Sequence, residues 1–214
     1  MLSFSSKTLI NREYKLSDFL KQINATKEVR EDAKKVKAIY FQNVINSQTL
    51  NCLENKKYQN IYVIRMELNT DIIPKMFMEA LDKNIAFHTY FVFEYSGEIS
   101  TWVTYKEIGK KISLDNKYYY HDFHADEPVE LPNLDDVPDA YVAILSYEIG
   151  RPARHIETPD DYIKRMHKMN KLEFQISKTE SAIIYETQPK KKFEYNSRLR
   201  KYKEEYSELM KMEN

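Results

Sequence analysis

The sequence predicts an α+β fold in which a mixed or antiparallel sheet packs against helices and is followed by a C-terminal helical hairpin or coiled coil. Two observations predict it. Between residues 60 and 107, β-branched and aromatic runs surround one amphipathic segment, which is typical of strands flanking a helix. From residue 158 onward, apolar residues recur at spacings of four and three, which is typical of paired helices. We therefore expect an α+β domain over 1–157 and a helical extension over 158–214.

The N-terminal part predicts two short helices and then a strand. Ser17 is placed to begin the first helix and Thr26 the second, because Ser and Thr side chains satisfy free amides at a helix start. Residues 36–44 fit both periodicities. We favour a strand that turns at residues 46–47 and returns through residues 49–53.

The clearest elements lie between residues 60 and 107. Residues 61–68 predict a strand, and Pro74 suits the first turn of the following helix. Residues 88–95 predict a second strand. Ser96 and Gly97 then form a two-residue turn, and residues 98–106 run back, so we expect an antiparallel hairpin.

The next block is acidic. Residues 113–161 contain twelve acids and three bases. Residues 117–123 predict an edge strand. A helix then begins at Asp135 or Asp136 and ends near Gly150, which can adopt the left-handed conformation of a C-cap.

The C-terminal segment predicts long helices. Thr158 is a suitable N-cap, Pro159 fits the first helical position, and Pro189 interrupts the run. The heptad seam either closes a hairpin within the chain or pairs with another chain. The seam residues that we expect to contact a partner are Tyr162, Met166, Met169, Ile176, Tyr195, Leu199, Tyr202, Tyr206 and Leu209.

Composition excludes several function classes. The chain has three glycines, Gly97, Gly109 and Gly150, and no two of them are spaced as a phosphate-binding loop requires. We therefore expect no nucleotide cofactor, and indeed no cofactor of any kind. Cys52 has no cysteine partner, and no run of eighteen apolar residues occurs, so we expect a cytoplasmic protein without a membrane span.

Histidines are the candidates for catalysis and metal binding. His121 and His124 stand within a His-Asp-Phe-His-Ala-Asp run that ends at Asp126. On a strand the two rings would point to opposite faces, whereas in a turn they could converge on a metal. His88 begins an apolar strand and is a candidate catalytic residue, although a lone histidine there usually bonds a backbone carbonyl. We favour a solvated loop for the first pair and expect no metal.

Cationic and aromatic residues are the candidates for nucleic-acid binding. Clustered cations neutralise phosphates with little demand on geometry, and an aromatic ring can stack on a base. These candidates are Lys190, Lys191, Lys192, Arg198, Lys201 and Trp102. For the cationic residues, the alternative is the solvated face of a coiled coil. For Trp102, the alternative is an aromatic cross-strand pair. A metal-dependent nuclease is less favoured, because no Glu-x-Lys falls on a predicted strand.

Several segments resemble a bacterial family known as domain of unknown function 4391. The resemblance rests on residues 85–95, the Trp-x-x-Tyr-Lys run at 102–106, Thr49-Leu50-Asn51, and the two C-terminal helices, including Lys192 to Leu199. Two positions depart from the family pattern, with Ala86 in place of proline and Phe87 in place of tyrosine. The likeness covers most of residues 7–212.

The resemblance implies a functional context without an activity. Genes of this family are often found beside helicases and DNA methyltransferases of restriction or phage-defence type. We therefore expect a non-catalytic accessory subunit whose partner is such a helicase, such a methyltransferase or a second copy of the chain. A nucleic-acid-binding subunit is the alternative.

Overall fold

In the computed structural model, the protein is described over residues 1–125, 127–131 and 134–211 and has an α+β fold. It divides into two compact units, Met1–Pro152 and the segment from Ala153 onward. The strands are β1 (Leu2–Ser3), β2 (Leu9–Tyr14), β3 (Val36–Asn46), β4 (Asn60–Leu68), β5 (His88–Tyr95), β6 (Glu98–Val103), β7 (Lys106–Ile108), β8 (Ile112–Leu114), β9 (Tyr119–Ala125) and β10 (Val129–Glu130). The helices are α1 (Leu16–Gln22), α2 (Lys27–Ala33), α3 (Ser47–Leu50), α4 (Lys75–Asn84), α5 (Val137–Ile149), α6 (Pro159–Tyr185) and α7 (Pro189–Met210), with a 3₁₀ turn at Ser6–Thr8.

The first unit is built on a six-stranded mixed sheet in the order β2-β3-β4-β5-β6-β9. Only β4 and β5 are parallel neighbours, and the other adjacent pairs are antiparallel. A parallel pair needs a crossover, and α4 supplies it. The sequence-based expectation of an α+β fold is therefore confirmed, with the mixed form of the sheet.

Helices cover both faces of this sheet. On one face, α1, α2 and α4 contribute Phe19, Val29 and Phe77 to a core shared with sheet residues such as Phe91 and Trp102. On the other face, α5 packs against strands β3, β4, β6 and β9. The central strands are consequently buried on both sides, which explains the continuous apolar runs of β4 and β5.

Local signals set most element boundaries. Thr26, Asp136 and Thr158 each accept a hydrogen bond from a backbone amide three residues later, and so cap α2, α5 and α6 as predicted. Ser96 and Gly97 join β5 to β6 with both φ angles positive, 52° and 83°. This pair of positive φ angles is characteristic of a tight two-residue hairpin turn.

Two local predictions differ from the structure, and one strand lacks a prediction. Ser17 lies inside the first turn of α1, which begins at Leu16 without a side-chain cap. Residues 49–53 do not form the return strand, because Asn46 accepts hydrogen bonds from the amides of Gln48 and Thr49 and so caps α3. The strand that returns beside β3 is β4 instead. Strand β2 was not predicted, since its residues are almost all exposed and carry no apolar alternation.

The second unit contains the two long helices, which pack against each other. They run antiparallel, as the side-chain contacts show. Lys168 pairs with Glu205 and Lys203 with Glu180, each over 2.7 Å. Positions early in α6 thus meet positions late in α7, and a hairpin is formed within the chain.

Candidate functional site

A buried carboxylate lies beneath strands β5, β6 and β9. Glu148 stands near the end of α5, and its side chain is fully buried. Tyr90 Oη and Thr101 Oγ1 donate hydrogen bonds to Glu148 Oε1 over 2.7 and 2.8 Å. His121 Nδ1 lies 2.9 Å from Glu148 Oε2. One side chain from each of the three strands therefore holds the carboxylate.

Burial raises the pKa of Glu148 above its ordinary value, because water no longer solvates the charged form. Hydrogen bonds from Tyr90 and Thr101 act against this shift, as does the neighbouring His121. Tyr90 and Thr101 are themselves buried, whereas 41% of the His121 side chain is exposed. The imidazole therefore connects a buried carboxylate with solvent.

Strand β9 contains a β-bulge that redirects its histidines. Thr101 pairs with His121, and Ile99 pairs with His124. The two paired residues are two positions apart on β6 but three positions apart on β9, so β9 contains one extra residue. Ile99 and Thr101 share a sheet face because they are two residues apart. Their partners consequently share that face, with ring centroids 6.2 Å apart. A regular strand would place the two histidines on opposite faces, and the extra residue of the bulge removes that alternation.

Hydrogen bonds fix the tautomer of both imidazoles. When Glu148 is ionised its oxygens can only accept, so His121 Nδ1 is then the donor. His124 Nδ1 donates to the backbone oxygen of Asp122 over 2.7 Å. In a neutral imidazole, a proton on Nδ1 leaves the lone pair on Nε2. Asp126, the last residue of the sequence run, lies outside the described residues.

A second buried cluster is centred on Asp82 of α4. Asp82 forms an ion pair with Lys106, and both side chains are almost completely buried. Thr89 Oγ1 and Tyr118 Oη donate to its carboxylate over 2.5 and 2.8 Å. Lys106 Nζ also donates to the backbone oxygen of Phe87 over 2.9 Å. Because its polar atoms are satisfied inside the protein, we assign this cluster to the stability of the fold.

His88, the candidate catalytic residue, is 1% exposed. Its ring packs against Tyr58 and Tyr141, with centroids 5.1 and 4.5 Å away. His88 Nε2 donates to the backbone oxygen of Lys106 over 3.2 Å. Burial, with a smaller contribution from the Lys106 charge, lowers the pKa of His88 to about 4. A catalytic role stays a prediction, but the ring as placed does not reach solvent.

Trp102, a candidate for base stacking, is also buried. Its ring stacks on Tyr120, the residue paired with it on β9, with centroids 4.1 Å apart. Trp102 Nε1 donates to Ser100 Oγ over 2.8 Å. This is the aromatic cross-strand pair that the sequence offered as the alternative. Base stacking by Trp102 stays a prediction and would require Tyr120 to move.

The heptad seam of α7 faces α6. Within α7 only the seam positions are half-buried, and the remaining described residues are exposed. Those half-buried residues are Tyr195, Leu199, Tyr202, Tyr206 and Leu209. Tyr206 Oη donates to Glu173 of α6 over 2.7 Å. On α6, Tyr162, Met166 and Met169 are buried and Ile176 is half-buried. Contact of this seam with a partner stays a prediction.

The basic candidates of α7 lie outside the seam. Lys190, Lys191 and Lys192 form its first turn, and Arg198 and Lys201 follow; all five are exposed. The hairpin connection also exposes large apolar side chains. Ile184 is 73% exposed, Tyr185 83% and Phe193 75%. We call residues 184–193, which combine these apolar groups with the three lysines, the hairpin tip.

In residues 1–125, 127–131 and 134–211, no group of three or more His, Cys, Asp or Glu side chains is arranged to hold a metal ion. Over the same residues, no helix combines the length and apolarity needed to cross a membrane.

Comparison with known proteins gives one match. A family model described as domain of unknown function (DUF4391) matches residues 2–205. No curated protein and no solved structure matches the chain.

Proposed function

Because the chain belongs to the domain of unknown function 4391 family, whose name carries no activity, we propose a function from the chemistry of its exposed residues. We propose that the protein is a non-catalytic, cytoplasmic interaction subunit that docks an acidic protein partner with its hairpin tip. The observation that carries this proposal is the exposed group of apolar and lysine side chains at residues 184–193.

The apolar part of the tip is unusual for a surface. Ile184, Tyr185 and Phe193 each expose about three quarters of their area or more, and they stand close together in sequence around the connection between α6 and α7. Single exposed apolar residues need no explanation, but grouped ones are typical of protein-binding surfaces. Aromatic anchors of this kind often contribute a large share of binding energy at an interface.

The three lysines of the hairpin tip destabilise helix α7. Lys190, Lys191 and Lys192 occupy the first turn of α7, which contains no acidic residue. The helix dipole makes that end positive, so cations there are unfavourable by roughly 0.3–1 kcal/mol each. They form no ion pair within the described residues. Stability therefore does not account for them, whereas attraction of an acidic partner does.

The expected identity of the partner comes from the family resemblance. It implies a helicase or a DNA methyltransferase of a restriction or phage-defence system, with a second copy of the chain as another possibility. Because the hairpin tip exposes both lysines and apolar side chains, the partner surface that binds it must be both acidic and partly apolar.

Purified full-length chain should be titrated with each protein encoded beside its gene, with Kd measured by interferometry. We expect one of them to bind, and we expect Lys190→Glu/Lys191→Glu/Lys192→Glu to weaken binding at least tenfold by charge repulsion. The matched control Lys110→Glu/Lys111→Glu/Lys171→Glu changes the net charge equally at other exposed positions and should bind normally. Equal loss in both variants would contradict a specific docking tip.

Nucleic-acid binding is the second candidate, and one observation favours it. Tyr185 and Phe193 are exposed aromatic rings beside three lysines, a combination that binds single strands through stacking and charge. Glu194 stands next to Phe193 and is exposed, which weakens attraction for phosphates. A labelled single-stranded oligonucleotide should bind at low salt and dissociate steeply as salt rises. Absence of binding at low salt would eliminate this candidate.

A further inference from the structure

The bulge in β9 creates an arrangement that the interaction function does not use. His121 and His124 lie on one sheet face with ring centroids 6.2 Å apart, although their positions in the strand differ by three, an odd number. Both rings are at least partly exposed. Bulges recur beside functional sites because they re-aim side chains.

We propose that His121 and His124 bind one divalent transition-metal ion, such as Zn²⁺, through their two Nε2 atoms. Imidazole nitrogen suits this class of ion, and zinc–nitrogen bonds are about 2.0–2.1 Å long. The ring centroids, 6.2 Å apart, are close enough for one ion to lie between the two rings. Water completes the coordination, so the site is open.

The hydrogen bonds around the two rings support metal binding. Metal-ligating histidines almost always donate their other ring N–H to a carboxylate or a backbone carbonyl. His121 donates to Glu148 over 2.9 Å, and His124 donates to the Asp122 carbonyl over 2.7 Å. With Nδ1 of each ring facing an acceptor, Nε2 is the nitrogen left to bind a metal ion.

Glu148 acts as a positioning residue in this proposal. Its side chain is fully buried and is held by Tyr90 and Thr101, so it fixes the orientation of the His121 ring. Loss of such an outer carboxylate typically lowers metal affinity 10–100-fold. The substitution Glu148→Gln keeps the shape and an accepting oxygen, so it changes the charge with little effect on packing.

The test uses the untagged full-length chain, freed of metal and titrated with ZnCl₂ in a calorimeter. We expect one ion per chain, loss of saturable binding in His121→Ala and in His124→Ala, and at least tenfold weaker binding in Glu148→Gln. His155→Ala removes an exposed histidine elsewhere in the chain and should bind as the wild type does.

A nitrogen-15 spectrum of the imidazoles gives an independent readout. We expect the Nδ1–H tautomer for both rings without metal and a shift of both Nε2 resonances with Zn²⁺. No saturable binding by the wild type would overturn the proposal, as would binding that persists in both alanine variants. Circular dichroism of each variant confirms that it folds. The His124 variant is the safer of the two, because His124 bonds a backbone oxygen whereas His121 bonds the buried Glu148.

Discussion

At the scale of single residues, the Asp82–Lys106 ion pair should be sensitive to substitution because both side chains are almost completely buried. Burial lowers the pKa of Lys106, and the charge and hydrogen bond of Asp82 act against that shift. Removing one member of such a pair leaves an uncompensated buried charge. We expect Asp82→Asn to lower the free energy of unfolding by about 3–5 kcal/mol, measured by urea denaturation.

The matched control for Asp82 stands on the same helix. Glu79 pairs with Lys83 over 3.4 Å, but both side chains are about half exposed. Solvent screening reduces such a pair to about 0–1 kcal/mol, so Glu79→Gln should change stability little. Equal effects of the two substitutions would show that burial of the Asp82 pair is unimportant.

His88 should make stability depend on pH between about 4 and 6.5. Burial lowers its pKa to about 4 in the folded protein, whereas the unfolded value is about 6.5. Within this window the unfolded chain binds a proton that the folded chain excludes, so stability falls as pH falls. Near pH 4, this effect lowers the free energy of unfolding by about 3 kcal/mol.

The substitution His88→Phe isolates this effect because it keeps an aromatic ring between Tyr58 and Tyr141. Chemical denaturation at pH 6.5 and pH 4.5 should show a smaller loss of stability on acidification for the variant than for the wild type. The same loss in both proteins would mean that other groups carry the pH dependence.

At the scale of secondary-structure elements, α6 depends on a cap at its N-terminus. Thr158 Oγ1 accepts a hydrogen bond from the Asp161 amide over 3.2 Å. We expect Thr158→Ala to lower the free energy of unfolding by about 1 kcal/mol, whereas Thr158→Ser should keep the cap. Urea denaturation measures both, and equal stabilities of the two variants would contradict the assignment of the cap.

Element boundaries were predictable wherever local chemistry sets them. Caps at Thr26, Asp136 and Thr158 and the turn at Ser96–Gly97 depend on neighbouring residues, which the sequence displays directly. The edge strand β2 depends instead on pairing with β3, and its exposed residues carry no apolar period. Tertiary pairing of this kind leaves no local signal.

The candidate sites were predictable only in part, for a related reason. Glu148 follows Tyr141, Ile144 and Leu145 at helical spacing, so an acid on an apolar face was a visible signal of a buried carboxylate. The meeting of His121 and His124 was not visible. It depends on one extra residue in the pairing of β9 with β6, and register is a property of two strands together.

At the scale of the whole molecule, the formal charge of zero conceals separate charged regions. The acids concentrate in residues 113–161, while residues 164–214 contain thirteen bases and eight acids. A basic hairpin tip attracts acidic surfaces over about a Debye length, roughly 8 Å at physiological ionic strength. The interaction proposed here should therefore weaken with added salt, with the apolar contacts of the tip retaining part of the affinity.

Site-specific photo-crosslinking in living cells tests the docking tip most directly. A photoreactive phenylalanine analogue replaces Phe193 in the tip or, as a matched control, Phe174, which is 67% exposed in the middle of α6. We expect a discrete protein adduct from position 193 and none from position 174. No adduct at position 193, the same adducts at both positions, or an adduct with nucleic acid would contradict docking of a protein partner at the hairpin tip.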